Sequence, residues 1–181
     1  MTDTITLDGD DRAAALEAAI DDRGVDGRTG AVDPATEDCH GDPDEQWTPL
    51  VVTFLCNWCS YGGAESAGGS RASVPSAILP VRVLCSSRVD YDLVATALAA
   101  GADGVLVLGC HPGDCHYRTG NYQTLRRHEI ATPTFEGLGV DPDRVQLDWV
   151  SADEGERYAA IAREMVATVR DLGPVPREGQ T

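Results

Sequence analysis

The sequence predicts an α/β protein with an open, mostly parallel sheet of about four strands, flanking helices, and cysteines at the C-terminal strand ends. The runs Leu50 to Leu55, Ile78 to Leu84 and Val105 to Leu108 are near-continuously apolar and of strand length, as strands buried on both faces of a parallel sheet are. Helical patterns separate them, the alternation of β-α-β units, and Val145 to Val150 supplies a fourth strand. Each of the first three runs ends on a cysteine, in the frames LVVTFLCNWCSYGGA, ILPVRVLCSSRVD and GVLVLGCHPGDCHYRTGNY. Ligands of open α/β sheets sit outside the carboxyl ends of the strands, so Cys56, Cys85 and Cys110 should converge on one edge. Cys59 and Cys115 follow in the adjoining loops.

At 181 residues and 19.2 kDa the chain has the length of one domain and can bury a core without disulfide staples. That domain is expected over residues 47–174, with 175–181 a tail and 1–46 an acidic, disordered N-terminal extension. The extension carries 14 acids against 3 arginines, the remainder 16 against 11. Asp10 and Asp11 can cap a short helix, Asp11 to Arg23, whose apolar stripe of Leu16, Ala19 and Ile20 is thin. From Gly24 to Gln46 the Gly, Asp, Pro and Thr content reads as a linker, and the isolated Cys39-His40 pair within it is assigned no role.

The net charge is −16, and arginine supplies all fourteen basic residues, which argues against nucleic acid as a partner. Excess acid without lysine points to a halophilic protein in a salt-rich cytoplasm, where a Debye length of about 3 Å at 1 M salt mutes self-repulsion. No apolar run approaches the ~20 residues of a membrane span, and no basic-then-apolar leader opens the chain. The expectation is therefore cytoplasmic localisation, away from membranes. In a reducing compartment clustered cysteines bind metal or do redox chemistry more often than they form structural disulfides.

Cys56-Asn57-Trp58-Cys59 is a C-x2-C expected at a helix N-terminus, where a thiol pKa is lowered. Trp58 either shields a site from water or is an ordinary half-buried aromatic. Tyr61-Gly62-Gly63-Ala64 can let backbone N–H groups approach a bound anion and, without excluding that, can make a tight strand-to-helix turn. Past Cys85, Asp90 should cap a helix with Leu93, Val94, Ala97 and Leu98 on one face, stopped by Gly101. In the third frame Cys110, His111, Cys115 and His116 bring two thiols and two imidazoles together. The histidines are expected to hydrogen-bond cysteine ligands rather than to ligate, and Asp114 to be a turn residue. Asn121 to Gly139 begins as a helix that Pro133 should kink or end. Ser151-Ala152-Asp153-Glu154 reads as a capping box opening a helix with Tyr158, Ile161, Met165 and Val169 on its core face, ended by Gly173-Pro174.

Three chemistries compete for the five thiols. Structural zinc needs four N or S ligands, yet such sites usually stabilise small, loop-rich modules. A thiol–disulfide oxidoreductase needs only Cys56 and Cys59 and leaves three thiols unexplained. An iron–sulfur cluster uses four thiolates and leaves one over; Arg71, Arg88 and Arg118, each following a cysteine frame, can offset its negative charge. No Ser-His-Asp order, phosphate loop or dinucleotide fingerprint stands out, so no nucleotide or substrate site is expected.

The stretches FLCNWCSYGGA, RVLCSSRVD, GVLVLGCHPGDCHYRTGNY and LDWVSADEGERY, spread over Pro49 to Pro174, closely resemble the delta (iron–sulfur) subunit of methyl-viologen-reducing hydrogenase. The resemblance implies a 2Fe-2S protein that passes electrons between a hydrogenase or formate dehydrogenase-like partner and a heterodisulfide reductase-like flavin subunit. It places the family's cysteines on Cys56, Cys59, Cys85, Cys110 and Cys115. Each iron takes two thiolates, so C-x2-C can supply one iron and two of the other three cysteines the second, with the spare one left open. The thiol–disulfide enzyme and the zinc module stay open as alternatives.

Overall fold

The computed structural model describes residues 47–175. The expected helix and linker of residues 1–46, Cys39, His40 and most of the tail lie outside the described residues. Four strands, β1 (Val51–Cys56), β2 (Ile78–Val83), β3 (Gly104–Gly109) and β4 (Val145–Trp149), form one all-parallel sheet in the order β2-β1-β3-β4. Helices α1 (Ser60–Ser70), α2 (Tyr91–Ala99), α3 (Gly120–Gly137) and α4 (Gly155–Leu172) connect and flank the strands, as expected for the α/β class.

Every residue of the central strands β1 and β3 is buried. Alternate side chains feed two cores. Val51, Leu55, Leu106 and Leu108 pack with Ala67 of α1 and with Tyr158, Met165, Val166 and Val169 of α4. Val52, Phe54, Val105 and Val107 pack on the opposite face with Val94 of α2 and Phe135 of α3. The sheet is thus the middle of three layers, and both faces of its centre are dry.

β2 departs from the expectation of burial on both faces. It is an edge strand, with Leu79 48% exposed and the following Leu84 65% exposed. An edge tolerates Pro80, which cannot donate to a ladder. Its apolar run reflects length and propensity, not burial.

Local signals fare unevenly. Asp90 caps α2 by accepting from the Leu93 N–H at 3.1 Å, and Val94 is buried; Leu93 itself faces outward at 39% exposure. α3 runs through Pro133 to Gly137 instead of ending there. Pro133 and the residue four before it, Glu129, both lie on the exposed face, where water can satisfy the carbonyl that the missing N–H leaves unbonded. The capping box is half formed. The Glu154 carboxylate accepts from the Ser151 N–H at 2.7 Å, but α4 starts only at Gly155. That start is set by packing, since a Cβ at Gly155 would sit 2.6 Å from the Ala67 amide nitrogen of α1. Gly62 and Gly63 likewise serve helix packing: Cβ atoms there would lie 2.9 Å from the Ala152 Cβ and 2.7 Å from Val150 Cγ1. They let α1 press against the β4–α4 loop.

Candidate metal centre

Parallel register brings the thiols together. Cys56 ends β1 opposite Val83 of β2, and Leu55 stands opposite Leu108 of β3, so Cys85 and Cys110 each leave the sheet two residues later at the same edge. Cys56, Cys59, Cys85, Cys110 and Cys115 are all buried, between 1% and 8% exposed, and none is in a disulfide. They fall into two groups. The sulfurs of Cys56, Cys59 and Cys110 lie within 4.8 Å of one another, with Cys56 and Cys110 at 3.7 Å. Cys85 and Cys115 form a separate pair at 3.9 Å. Two sulfurs bound at about 2.3 Å to one tetrahedral metal stand about 3.7–3.8 Å apart, so both groups already hold the edge length of a tetrahedral site.

Hydroxyls, amides and glycines build the surroundings. Ser60, fully buried, accepts from the Cys56 N–H at 2.8 Å and donates to the Leu108 carbonyl at 2.7 Å, tying the C-x2-C loop to β3. Asn121, also buried, donates to the Cys110 and His111 carbonyls at 3.2 and 2.6 Å and fixes the loop after β3. Thr124 of α3 donates to Ser86, the residue after Cys85, at 2.9 Å. Two glycines admit close approach where a side chain would collide. A Cβ at Gly109 would lie 2.8 Å from the Ser86 hydroxyl, and one at Gly120 would lie 2.5 Å from the Cys85 sulfur and 3.0 Å from that of Cys115. Sequence reasoning missed Ser60, Asn121, Thr124 and Gly120; the only cue was their place beside cysteine frames.

The trio shares charge unevenly. Thiol donation from Cys110, then from Cys59, holds Cys56 far below the ordinary thiol range, helped by the backbone N–H groups of Trp58 and Ser86. Cys59 is driven up by hydrogen bonding to Cys110 and Cys56 and by burial. Cys110 is pushed up to about 12, chiefly by Cys56. Cys56 is thus the member of the trio that most favours the thiolate form, and a metal bound to all three must displace protons from its neighbours. Burial raises Cys85, against the Ser87 hydroxyl and amide.

Among the described residues neither His111 nor His116 hydrogen-bonds a cysteine through its ring. His111 pairs with Glu154 at 2.6 Å, and that carboxyl is held below its usual range first by the Ser151 N–H and then by His111. His116 stacks on Trp58; its backbone N–H, not its ring, lowers Cys110. Asp114 is exposed and donates its N–H to the His111 carbonyl in a turn, as expected. Arg88 and Arg118 are exposed on the cysteine-bearing loops, whereas Arg71 caps the far end of α1 and stands apart from the thiols.

An all-sulfur donor set, two tetrahedral edges and N–H groups directed at sulfur suit a thiolate-held metal or cluster. Fold and site thus define a parallel α/β protein with a buried polythiol centre at its carboxyl sheet edge. The family model for the delta subunit of methyl-viologen-reducing hydrogenase matches residues 51–173, and the chain belongs to that family. It is 48% identical over 130 residues to the iron-sulfur subunit of an F420-non-reducing hydrogenase from Archaeoglobus profundus, covering 72% of this chain and 95% of that protein. The iron-sulfur subunit of the F420-non-reducing hydrogenase vhc of Methanococcus voltae is 42% identical over 130 residues, 72% of this chain and 90% of that one. Similarity also extends to one subunit of the ferredoxin/F(420)H(2)-dependent CoB-CoM heterodisulfide reductase of Methanosarcina acetivorans, 43% identical over 130 residues, 72% of this chain but 16% of that much longer protein.

Proposed function

We propose that this chain is a 2Fe-2S electron-transfer subunit of an oxidoreductase complex. The observation that carries the reading is the division of five buried thiols into a trio and a pair, each containing sulfurs at the edge length of a tetrahedral metal. In this reading Cys85 and Cys115 serve one iron, and two of Cys56, Cys59 and Cys110 serve the other, leaving one thiol spare. When bound, such a cluster takes up and releases one electron at a time. The protein's own part is to bury the thiols, direct the amides of Trp58, Ser86 and His116 at sulfur, and exclude water.

Relatives named as hydrogenase iron-sulfur subunits support iron over zinc and a hydrogenase-like partner, for which a formate dehydrogenase-like subunit is the alternative. A homologous segment within the long heterodisulfide reductase chains supports, as the other partner, a heterodisulfide reductase-like flavin subunit. Residues 47–174 form the electron-transfer domain, 1–46 an acidic extension and 175–181 a tail. Among the described residues no helix is long and apolar enough to cross a membrane, and the lysine-free acidic composition supports a salt-rich cytoplasm as the working compartment.

Anaerobic purification with metal and sulfide analysis tests this. The expected protein is brown, with visible charge-transfer bands and about two irons per chain. A colourless zinc-loaded protein would favour a structural module. A metal-free dithiol active in insulin reduction would favour a thiol–disulfide enzyme acting through Cys56 and Cys59. Either result overturns the proposal.

A further inference from the structure

Trp58 lies between the two cysteines of the C-x2-C, yet it is 48% exposed. It is also held in place. Its ring stacks on His116, centroids 3.7 Å apart and planes 11° from parallel. Its Nε1–H donates to the Tyr117 hydroxyl at 3.2 Å, and the Tyr117 ring stands edge-on to His116 at 5.0 Å. An exposed tryptophan free of constraint would sample several rotamers; two ring contacts and a hydrogen bond leave this one a single place.

The contacts join two loops distant in sequence. Trp58 belongs to the β1–α1 loop with Cys56 and Cys59, while His116 and Tyr117 belong to the β3–α3 loop with Cys110 and Cys115. Cys59 and Cys115 are the two most exposed of the five cysteines, at 6% and 8%, and they are the ones that Trp58 and His116 directly adjoin in the chain. Neither ring is needed by the hydrophobic cores, which contain none of the three residues.

Building on the cluster reading above, we propose that the Trp58–His116–Tyr117 tier is a positioning and shielding device that locks the two cysteine loops together, keeps water from Cys59 and Cys115, and so sets the reduction potential of the bound cluster. The reduced centre carries one more negative charge than the oxidised one, and water stabilises the more highly charged state. Stripping the tier therefore favours reduction and moves the potential upward, solvent exposure being among the known determinants of cluster potentials.

The test uses the full chain, reconstituted anaerobically with iron and sulfide, as wild type, Trp58→Ala, Trp58→Phe and His116→Ala. Potentiometric titration followed by visible absorbance reads the potential, and bleaching under a chelator reads shielding. Trp58→Ala and His116→Ala are expected to titrate at higher potential and bleach several-fold faster with unchanged far-UV circular dichroism, whereas Trp58→Phe, which keeps a stacking ring, stays near wild type. Failure of Trp58→Ala to hold iron, with rescue in Trp58→Phe, supports the same tie. Unchanged potential and bleaching in both alanine variants, or equal shifts in Trp58→Phe and Trp58→Ala, overturn this inference alone. An iron-free, colourless wild type overturns the cluster reading and this inference with it.

Discussion

Replacing Gly120 by alanine should disable the Cys85–Cys115 half of the centre without unfolding the domain. Gly120 opens α3 and is not among the glycines held at positive φ, so its backbone conformation is open to alanine. What the site requires is the missing side chain. A Cβ would lie 2.5 Å from the Cys85 sulfur, 3.0 Å from the Cys115 sulfur and 3.2 Å from the Ser87 hydroxyl. Ordinary van der Waals contact needs about 3.5–4 Å, so at least one sulfur must retreat by about an ångström, and the 3.9 Å spacing of the pair is lost. Overpacking of this kind costs ~1–3 kcal/mol, while alanine gains up to ~1 kcal/mol over glycine in a helix, so the net loss is small beside a domain stability of ~5–15 kcal/mol. The metal site suffers more. Disturbing groups that orient metal ligands lowers affinity by about 10–100-fold, and here the ligands themselves shift. Iron retained against a competing chelator, with the visible spectrum, reads the centre; far-UV circular dichroism and thermal unfolding read the fold. A Gly120→Ala chain that holds iron as tightly as wild type with the same spectrum would refute the role given to this glycine and to the Cys85–Cys115 pair.

Thr53, fully buried in β1, has a hydroxyl without a hydrogen-bond partner among the described residues, so the near-isosteric Thr53→Val should stabilise the domain by ~1 kcal/mol, seen as a melting temperature a few degrees higher. Burial holds the His128 imidazole below its ordinary value of 6.5, against an opposing pull from Glu129. The unfolded chain then binds a proton that the folded one refuses, so stability is full above pH 6.5 and falls as pH drops through that value towards the folded pKa. Thermal unfolding followed from about pH 7.5 to about pH 5.5 should show the decline, and His128→Gln should flatten it. Removing metal with a chelator should leave far-UV circular dichroism and protease resistance of the 47–174 core almost unchanged, because the layers on both faces of the sheet do not depend on the thiols.

The fold and the meeting of the cysteines at one sheet edge were legible in the sequence because both rest on local signals. An apolar run ending in a cysteine states a strand and its functional end in one phrase, and Asp90 or Gly173 states a helix boundary within a few residues. The division of the thiols was not legible. Cys85 meets Cys115 because α3 seats its first residue against them, and nothing local to either frame specifies that meeting. The glycines of Tyr61-Gly62-Gly63-Ala64 stayed ambiguous for a related reason: β1 does turn tightly into α1 there, but a missing Cβ admits an anion, a turn or a packed loop alike, and the tertiary neighbours at Val150 and Ala152 are not local to the motif. His111 found Glu154, 43 residues away, and not a sulfur. Pro133 does not end α3, because a proline's cost depends on which face it occupies, a property of the whole helix and its partners.

The precision of the centre comes from the sheet. A slip of one residue between neighbouring strands moves a strand end by ~3.3 Å, close to the whole sulfur–sulfur separation of either group, and turns every side chain to the opposite face. Such a slip is heavily penalised here, since β1 and β3 are buried throughout and Gly104 sits where a Cβ would meet Met165 and Val169 at 2.7 Å. Small zinc modules work the other way, drawing folding energy from the metal. In this chain a core built from ordinary apolar side chains fixes where three strand ends stop, and the cysteines placed two residues or fewer beyond them inherit that accuracy. The hydrophobic core therefore sets the geometry of the thiols, and the loops are left to supply the finer terms: the Ser60 and Asn121 tethers, the Gly120 approach and the Trp58–His116 stack.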